Sequence, residues 1–304
     1  MSGHAKPMAG LPPQEAVAHR ADLVISIEQA RAIPWPDARS HKHSRGRLAV
    51  ICGGRLQTGA ARLAAAAGHR IGAGWVSLIA AADAATILAC HETERLIVER
   101  AALQSLSSLC SGFDAAILGP AFGLTATQAD DVLDMVQGFS GPLVLDADAL
   151  TLMAQGGRHG PPWQAVQARS APTILTPHSG EFTRLAGSFD RGNKAKATLQ
   201  LAQELRSIVV HKGAETWVAS PDGRLASSQL ATPFSASAGT GDVLAGLIAG
   251  LVAQSMPAFE AACAAVWIHA TAANRVGPGL IASDLIAALP AVLNDLVPEG
   301  LRAR

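Results

Sequence analysis

Short apolar runs that stop abruptly at Gly, Asp, Pro or Lys recur along most of this chain, and longer stretches with helical spacing lie between them. Residues 48–51, 75–80, 115–118, 143–145, 173–175 and 208–211 are such runs, and a helical stretch over 59–70 joins the first two. A strand that is apolar throughout, rather than at alternate positions, has to be covered on both faces. Parallel strands joined by crossover helices meet that condition. The pattern therefore predicts an α/β fold: a mostly parallel central sheet with helices on both faces. After Lys212 the rhythm changes. Residues 215–219 and 224–228 flank Ser220-Pro221-Asp222-Gly223, a turn sequence that predicts an antiparallel hairpin finishing the sheet at its edge. The last third reads as helix over 242–253, 258–276 and 283–296, punctuated by Pro257, Gly277, Pro278 and Gly279.

With 304 residues, 49% of them hydrophobic and 16% charged, the chain has enough apolar surface for one large core, and nothing in the punctuation marks a second. Residues 1–40 read differently. Pro7, Pro12, Pro13, Pro34 and Pro36 among polar neighbours predict a partly flexible arm with one short ordered piece around 23–32. A single domain over 41–304 follows, its compact body beginning near Arg47. Lys plus Arg and Asp plus Glu number 24 each, so there is no basic field to attract nucleic acid as a partner. Cys52, Cys90, Cys110 and Cys263 stand singly, without the CxxC pairs of zinc or redox sites, and read as small buried hydrophobes in a reducing cytoplasm. The first residues lack the apolar core of a secretory signal, and the apolar run 243–253 is too short for a bilayer. Neither export nor membrane insertion is expected.

Ligands in open α/β sheets sit just beyond the carboxyl ends of the strands, so the turns there are the candidate site. Residues 53–60 follow the first run with small residues and lack the Walker lysine; a plain strand-to-helix turn is the alternative reading. Gly119-Pro120-Ala121-Phe122-Gly123 and Asp146-Ala147-Asp148 follow the next two runs. The two carboxylates suit Mg²⁺ held through water, the alternative being that Asp148 caps a helix starting at Ala149. His178, after the 173–175 run, brings an imidazole to the same rim or plays a structural part. Lys212-Gly213-Ala214-Glu215-Thr216 offers a lysine and neighbouring amides to nucleotide phosphates. The strongest feature is Gly239-Thr240-Gly241-Asp242. A helix starting there directs unpaired amides and the positive end of its dipole at a phosphoryl group, and Asp242 is placed to accept a proton from an attacking hydroxyl.

Taken in order, GxxxxTGA, GPxxG, LDADAL, LTPHxGEF, KGAxT and GTGDVLAG resemble the NAD(P)H-hydrate dehydratases, a branch of the ribokinase-like superfamily, over roughly residues 41–290. His41-Lys42 and Gly46-Arg47 resemble the start of the family's domain. The resemblance implies a ribokinase-like fold that repairs hydrated NADH or NADPH (NADHX, NADPHX) with ADP or ATP and Mg²⁺, phosphorylating the added hydroxyl so that phosphate can leave. It implies that Ala60, Gly123, His178 and Asp242 contact the hydrated dinucleotide. Lys212, Gly213, Ala214, Glu215 and Thr216, with Gly239, Thr240 and Gly241, would hold the nucleotide. It further implies a homo-oligomer, often a tetramer. The residues ahead of the match are too few for the epimerase domain many members carry, so a dehydratase alone is expected. Two departures stand out: Ala121, where the family usually has glycine, is expected to narrow the substrate loop, and Ala238, in place of glycine, adds a methyl near the phosphate turn. The competing readings are a small-molecule kinase of the same superfamily and a nucleotide-binding protein without catalysis.

Overall fold

The computed structural model describes residues 23–187 and 192–301. Ten strands make one sheet: β1 (Leu23–Val24), β2 (Arg47–Ile51), β3 (Trp75–Ala81), β4 (Leu96–Arg100), β5 (Ala115–Leu118), β6 (Leu143–Leu145), β7 (Thr173–Leu175), β8 (Ile208–His211), β9 (Thr216–Ala219) and β10 (Leu225–Ser228). Their order across the sheet is β1-β10-β9-β8-β7-β6-β5-β2-β3-β4. From β8 to β4 all neighbours are parallel, and β9 is antiparallel to both β8 and β10.

Successive residues of a strand point to opposite faces, and here both faces are buried. Leu48 and Val50 of β2 belong to one apolar cluster, whereas Ala49 and Ile51 belong to the other. The first cluster is covered by the helices Ile27–Arg31, Thr58–Arg70, Ala82–Ala89, Thr240–Ala253, Ala258–Val276 and Ala282–Leu296. The second is covered by Leu106–Leu109, Ala126–Gly138, Ala147–Gln155, Pro161–Ala168, Ser179–Ala186 and Lys194–Leu205. The result is a three-layered sandwich with the expected parallel sheet.

Four details differ from the sequence reading. The hairpin β9–β10 forms, with Leu225 opposite Ala219, but β1 lies outside it and pairs parallel with β10, so the hairpin is one strand in from the edge. The body also starts earlier than Arg47. Ile25, Ala30 and Ile33 are buried in the main cluster, and Ser26 caps the helix Ile27–Arg31 in a capping box with Gln29. The prolines that suggest a loose arm at Pro7, Pro12 and Pro13 lie outside the described residues. Finally, β4 is a strand the apolar runs do not announce, because at the sheet's far edge it is only partly covered and keeps Glu99 and Arg100. Of the four cysteines, all free, Cys90 is exposed rather than buried.

The helix Thr240–Ala253 lies against Thr58–Arg70 closely enough that side chains are excluded. A Cβ on Gly246 would stand 2.2 Å from the Ala64 carbonyl oxygen, and one on Gly250 would stand 2.6 Å from that of Gly68. This contact locks the two helices that open beside the candidate site.

Candidate active site

Strands β8, β7, β6, β5 and β2 are adjacent and parallel, so the turns that follow them form one continuous rim. The backbone is tightly fitted there. A Cβ on Gly53 would lie 1.9 Å from the Ala121 carbonyl oxygen, and one on Gly119, at φ 130°, would lie 1.8 Å from that of Asp146. Ala121 itself has φ 47°, a left-handed conformation that glycine adopts without strain and alanine does not. Ala238 is exposed and lies outside that region, so its methyl meets no such cost.

The helix Thr240–Ala253 brings its N-terminus to the same rim. Its N-cap, Gly239, has φ 89°, and a Cβ there would press on Leu63 and Ala282 at 2.7 and 3.0 Å. No side chain caps this helix; the Thr240 amide donates to the Ser237 carbonyl at 3.4 Å, and the next amides are left to a ligand. A Cβ on Gly241 would stand 3.1 Å from Lys212 Nζ, so the ammonium lies directly against the helix start. Two further contacts fix the turn. The single hydroxyl hydrogen of Thr240 lies between the carbonyls of Ser235 and Ser237, each 2.9 Å from Oγ1, and the Thr240 carbonyl accepts from His269 Nε2 at 2.9 Å. Since a carbonyl only accepts, Nε2 carries the hydrogen. Burial pushes the His269 imidazole down to about 4, so it is neutral.

Four carboxylates gather beside this turn. Asp146 Oδ1 accepts from Lys212 Nζ at 2.9 Å, and Asp148 Oδ2 accepts from the Gly123 amide at 2.8 Å. The expectation that Asp148 caps a helix beginning at Ala149 fails, because the helix begins at Ala147, Asp146 occupies the N-cap position, and Asp148 reaches across to Gly123 instead. Burial above all, then the charge of Asp146, pushes the Asp242 carboxyl up to about 7; Lys212 opposes this, while Glu181 and Asp148 add to it. A carboxylate that changes protonation near neutrality, next to amides able to stabilise a phosphoryl group, has the chemistry of a general base. Among the described residues no three His, Cys, Asp or Glu side chains gather into a metal-binding group.

His178 has a structural task at the rim. It is the N-cap of the helix Ser179–Ala186, where its Nδ1 accepts from the amides of Gly180 and Glu181 at 2.9 and 3.3 Å, while Glu181 Oε2 accepts from the His178 amide. It also lines a cavity of about 630 Å³, together with Lys212, Gly213, Ala214, Thr216, Thr240 and Gly241. Leu244, Val266 and Ala270 give this cavity an apolar wall. A volume of that size suits a nucleotide. Glu215 and Gly239 flank the cavity without lining it, and the Glu215 carboxylate accepts from Gln229 Nε2 at 3.3 Å. Ala60, Gly123 and Asp242 lie outside its lining as well. Six of the eight residues expected at the nucleotide site thus line one cavity, together with His178, expected at the dinucleotide. Sequence reasoning missed His269, Ser235, Ser237 and Lys194, whose Nζ donates to the carbonyls of Lys212 and Glu215. A lone histidine in an alanine-rich helix and a lysine at a helix start carry no signal by themselves.

Residues 48–290, which carry every one of these turns, match the family model described as NAD(P)H-hydrate dehydratase. This chain belongs to the NAD(P)H-hydrate dehydratase family. Within that family it is 35% identical to an ADP-dependent (S)-NAD(P)H-hydrate dehydratase from Xanthomonas campestris, over 91% of this chain and 97% of the relative. It is 34% identical to a bifunctional NAD(P)H-hydrate repair enzyme from Salinibacter ruber, over 97% of this chain but only 58% of that longer protein. Among solved structures, the ADP/ATP-dependent NAD(P)H-hydrate dehydratase from Bacillus subtilis, co-crystallised with ATP and Mg²⁺, superposes with a TM-score of 0.77 at 26% identity, over 90% of this chain and 99% of that one. A ribokinase-like superfamily protein from Enterococcus faecalis, with a TM-score of 0.79 at 24% identity over 90% of this chain and 96% of that one, shares the fold. The fold is ribokinase-like.

Proposed function

We propose that this chain is a hydro-lyase that returns hydrated NADH or NADPH to the intact coenzyme at the expense of ADP or ATP. Family membership and the names of the relatives from Xanthomonas and Bacillus support this reading. The observation that carries it is Asp242, with its carboxyl held near 7, in the first turn of an uncapped helix beside a nucleotide-sized cavity.

The nucleotide lies in the cavity beside Thr240, with its terminal phosphate against the amides of Gly239 and Gly241 and the ammonium of Lys212. Asp242 takes the hydrogen of the hydrate's hydroxyl as that oxygen forms its bond to phosphorus and the bond to the departing nucleotide oxygen breaks. Phosphate then leaves the ring carbon with the electrons of the C–O bond, a proton is lost from the adjacent carbon, and the ring double bond is restored. Phosphorylation turns hydroxide, a poor leaving group, into phosphate. Mg²⁺, accompanying the nucleotide phosphates, supplies charge neutralisation. Asp148 and Asp242 would hold it through water, where a cation would relieve the charge of Asp146 that adds to burial in raising Asp242. The amides and Lys212 bind and orient the phosphate, and the apolar wall of the cavity keeps water from competing with the hydroxyl.

Hydrated NADPH given with ADP or ATP and Mg²⁺ should regain the near-ultraviolet absorbance of NADPH and release phosphate in equal amount. A stable phosphorylated alcohol, with no recovery of NADPH, would replace this reading with that of a kinase.

A further inference from the structure

The Lys212–Glu215 turn is grasped from behind. Lys194 opens the helix Lys194–Leu205, whose start is fixed by Asn193 Oδ1 accepting from the Lys196 amide at 2.9 Å. Its Nζ donates to the Lys212 carbonyl at 3.2 Å and to the Glu215 carbonyl as well, closing the turn like a clasp. At Gly213, between them at φ 158°, a Cβ would stand 2.7 Å from Nζ and could enter only by displacing that ammonium from the two carbonyls.

The backbone of Lys194 is tied to the same strand end. Thr198 Oγ1 lies 2.7 Å from the Lys194 carbonyl, which can only accept, so the single hydroxyl hydrogen is spent there. Oγ1 must then accept from His211 Nδ1 at 3.0 Å. Burial pushes the His211 imidazole down to about 3, so the ring stays neutral and the direction of the chain of bonds does not change at working pH. The ring is stacked on Phe182, with centroids 3.9 Å apart and planes 7° apart, which joins the clasp to the helix capped by His178. Both ends of this circuit, Nζ and the carbonyl, return to the segment His211–Glu215.

We propose that Lys194 is a positioning residue for the nucleotide, holding the turn in the shape that presents Lys212 and the amides after it to the phosphates, with Thr198 and His211 fixing Lys194 in turn. The inference rests on the cavity being the nucleotide site, and it is separable from the repair reaction because nucleotide binding is measured without any hydrate.

Calorimetric titration of the full chain with ADP and Mg²⁺ tests it. Lys194→Met is expected to weaken ADP binding by about ten- to a hundredfold, the loss that removing charge-assisted hydrogen bonds brings. KM for the nucleotide rises by the same factor while KM for the hydrate stays within about twofold. Lys194→Arg recovers most of the affinity. Thr198→Val, which keeps the volume and removes the hydroxyl, gives a smaller loss of the same kind and guards against a Lys194→Met variant that fails to fold. Unchanged ADP affinity in either variant, equal rises in both KM values, or no ADP binding by the parent chain overturns the proposal.

Discussion

At the scale of a single residue, Asp242 is the proposed base, and its environment has a measurable cost. Its carboxyl is raised from 3.8 to about 7 in the folded chain, so the folding stability it allows is fully present below about pH 4 and is lost as pH rises through 7. A shift of that size corresponds to about 4 kcal/mol. Asp242→Asn removes the loss. Between pH 4 and 8 the unfolding free energy of the variant should fall by about 4 kcal/mol less than that of the parent, as read by denaturant titration at each pH. Turnover of the variant should drop by about a hundredfold or more while nucleotide still binds; undiminished turnover would remove Asp242 from the role of base. Asp242 was legible as a candidate because the glycines beside it announce an open helix start. Its protonation near neutrality was not, because it arises first from burial in the folded chain and then from the charges of Asp146, Glu181 and Asp148 on other segments.

Two elements hold the site in register, the helix Thr240–Ala253 and its neighbour Thr58–Arg70. Their backbones touch at Gly246 and Gly250, where a methyl group would strike the carbonyls of Ala64 and Gly68. Neither helix can yield at this contact without moving the turn that opens it at the rim. Gly246→Ala should therefore destabilise the chain by about 1–3 kcal/mol, lowering Tm by several degrees, despite alanine's better helix propensity. A rise in Tm would show that the helices part easily. The helices themselves were readable from spacing and punctuation. Their boundaries moved where a turn residue joined the helix, as Thr240 did. β4 escaped notice because an edge strand that is only partly covered need not be apolar throughout.

At the scale of the whole molecule, the sheet ends on a strand contributed by the short ordered piece expected around 23–32 within the N-terminal arm. Ile25 and Ile33 are 2% and 4% exposed, and burying side chains of that kind contributes about 1.5–3 kcal/mol each. Removal of residues 1–33 should cost about 3–6 kcal/mol and bare the edge of β10, to be seen as a lower denaturation midpoint and increased aggregation. A truncated chain as stable as the full one would mean that β1 and its helix are ornaments on a complete core. What this sequence determined alone was the layered α/β plan and the order of rim turns, since apolar period and glycine punctuation are local properties of the chain. Only the tertiary structure decided which rim residues meet. Lys212 and Asp146 pair across a separation of 66 residues, Lys194 reaches back to the Lys212 turn, and His269 steadies Thr240. Such contacts depend on which strands lie side by side, and burial then sets the charge each group carries, neither of which a local pattern encodes.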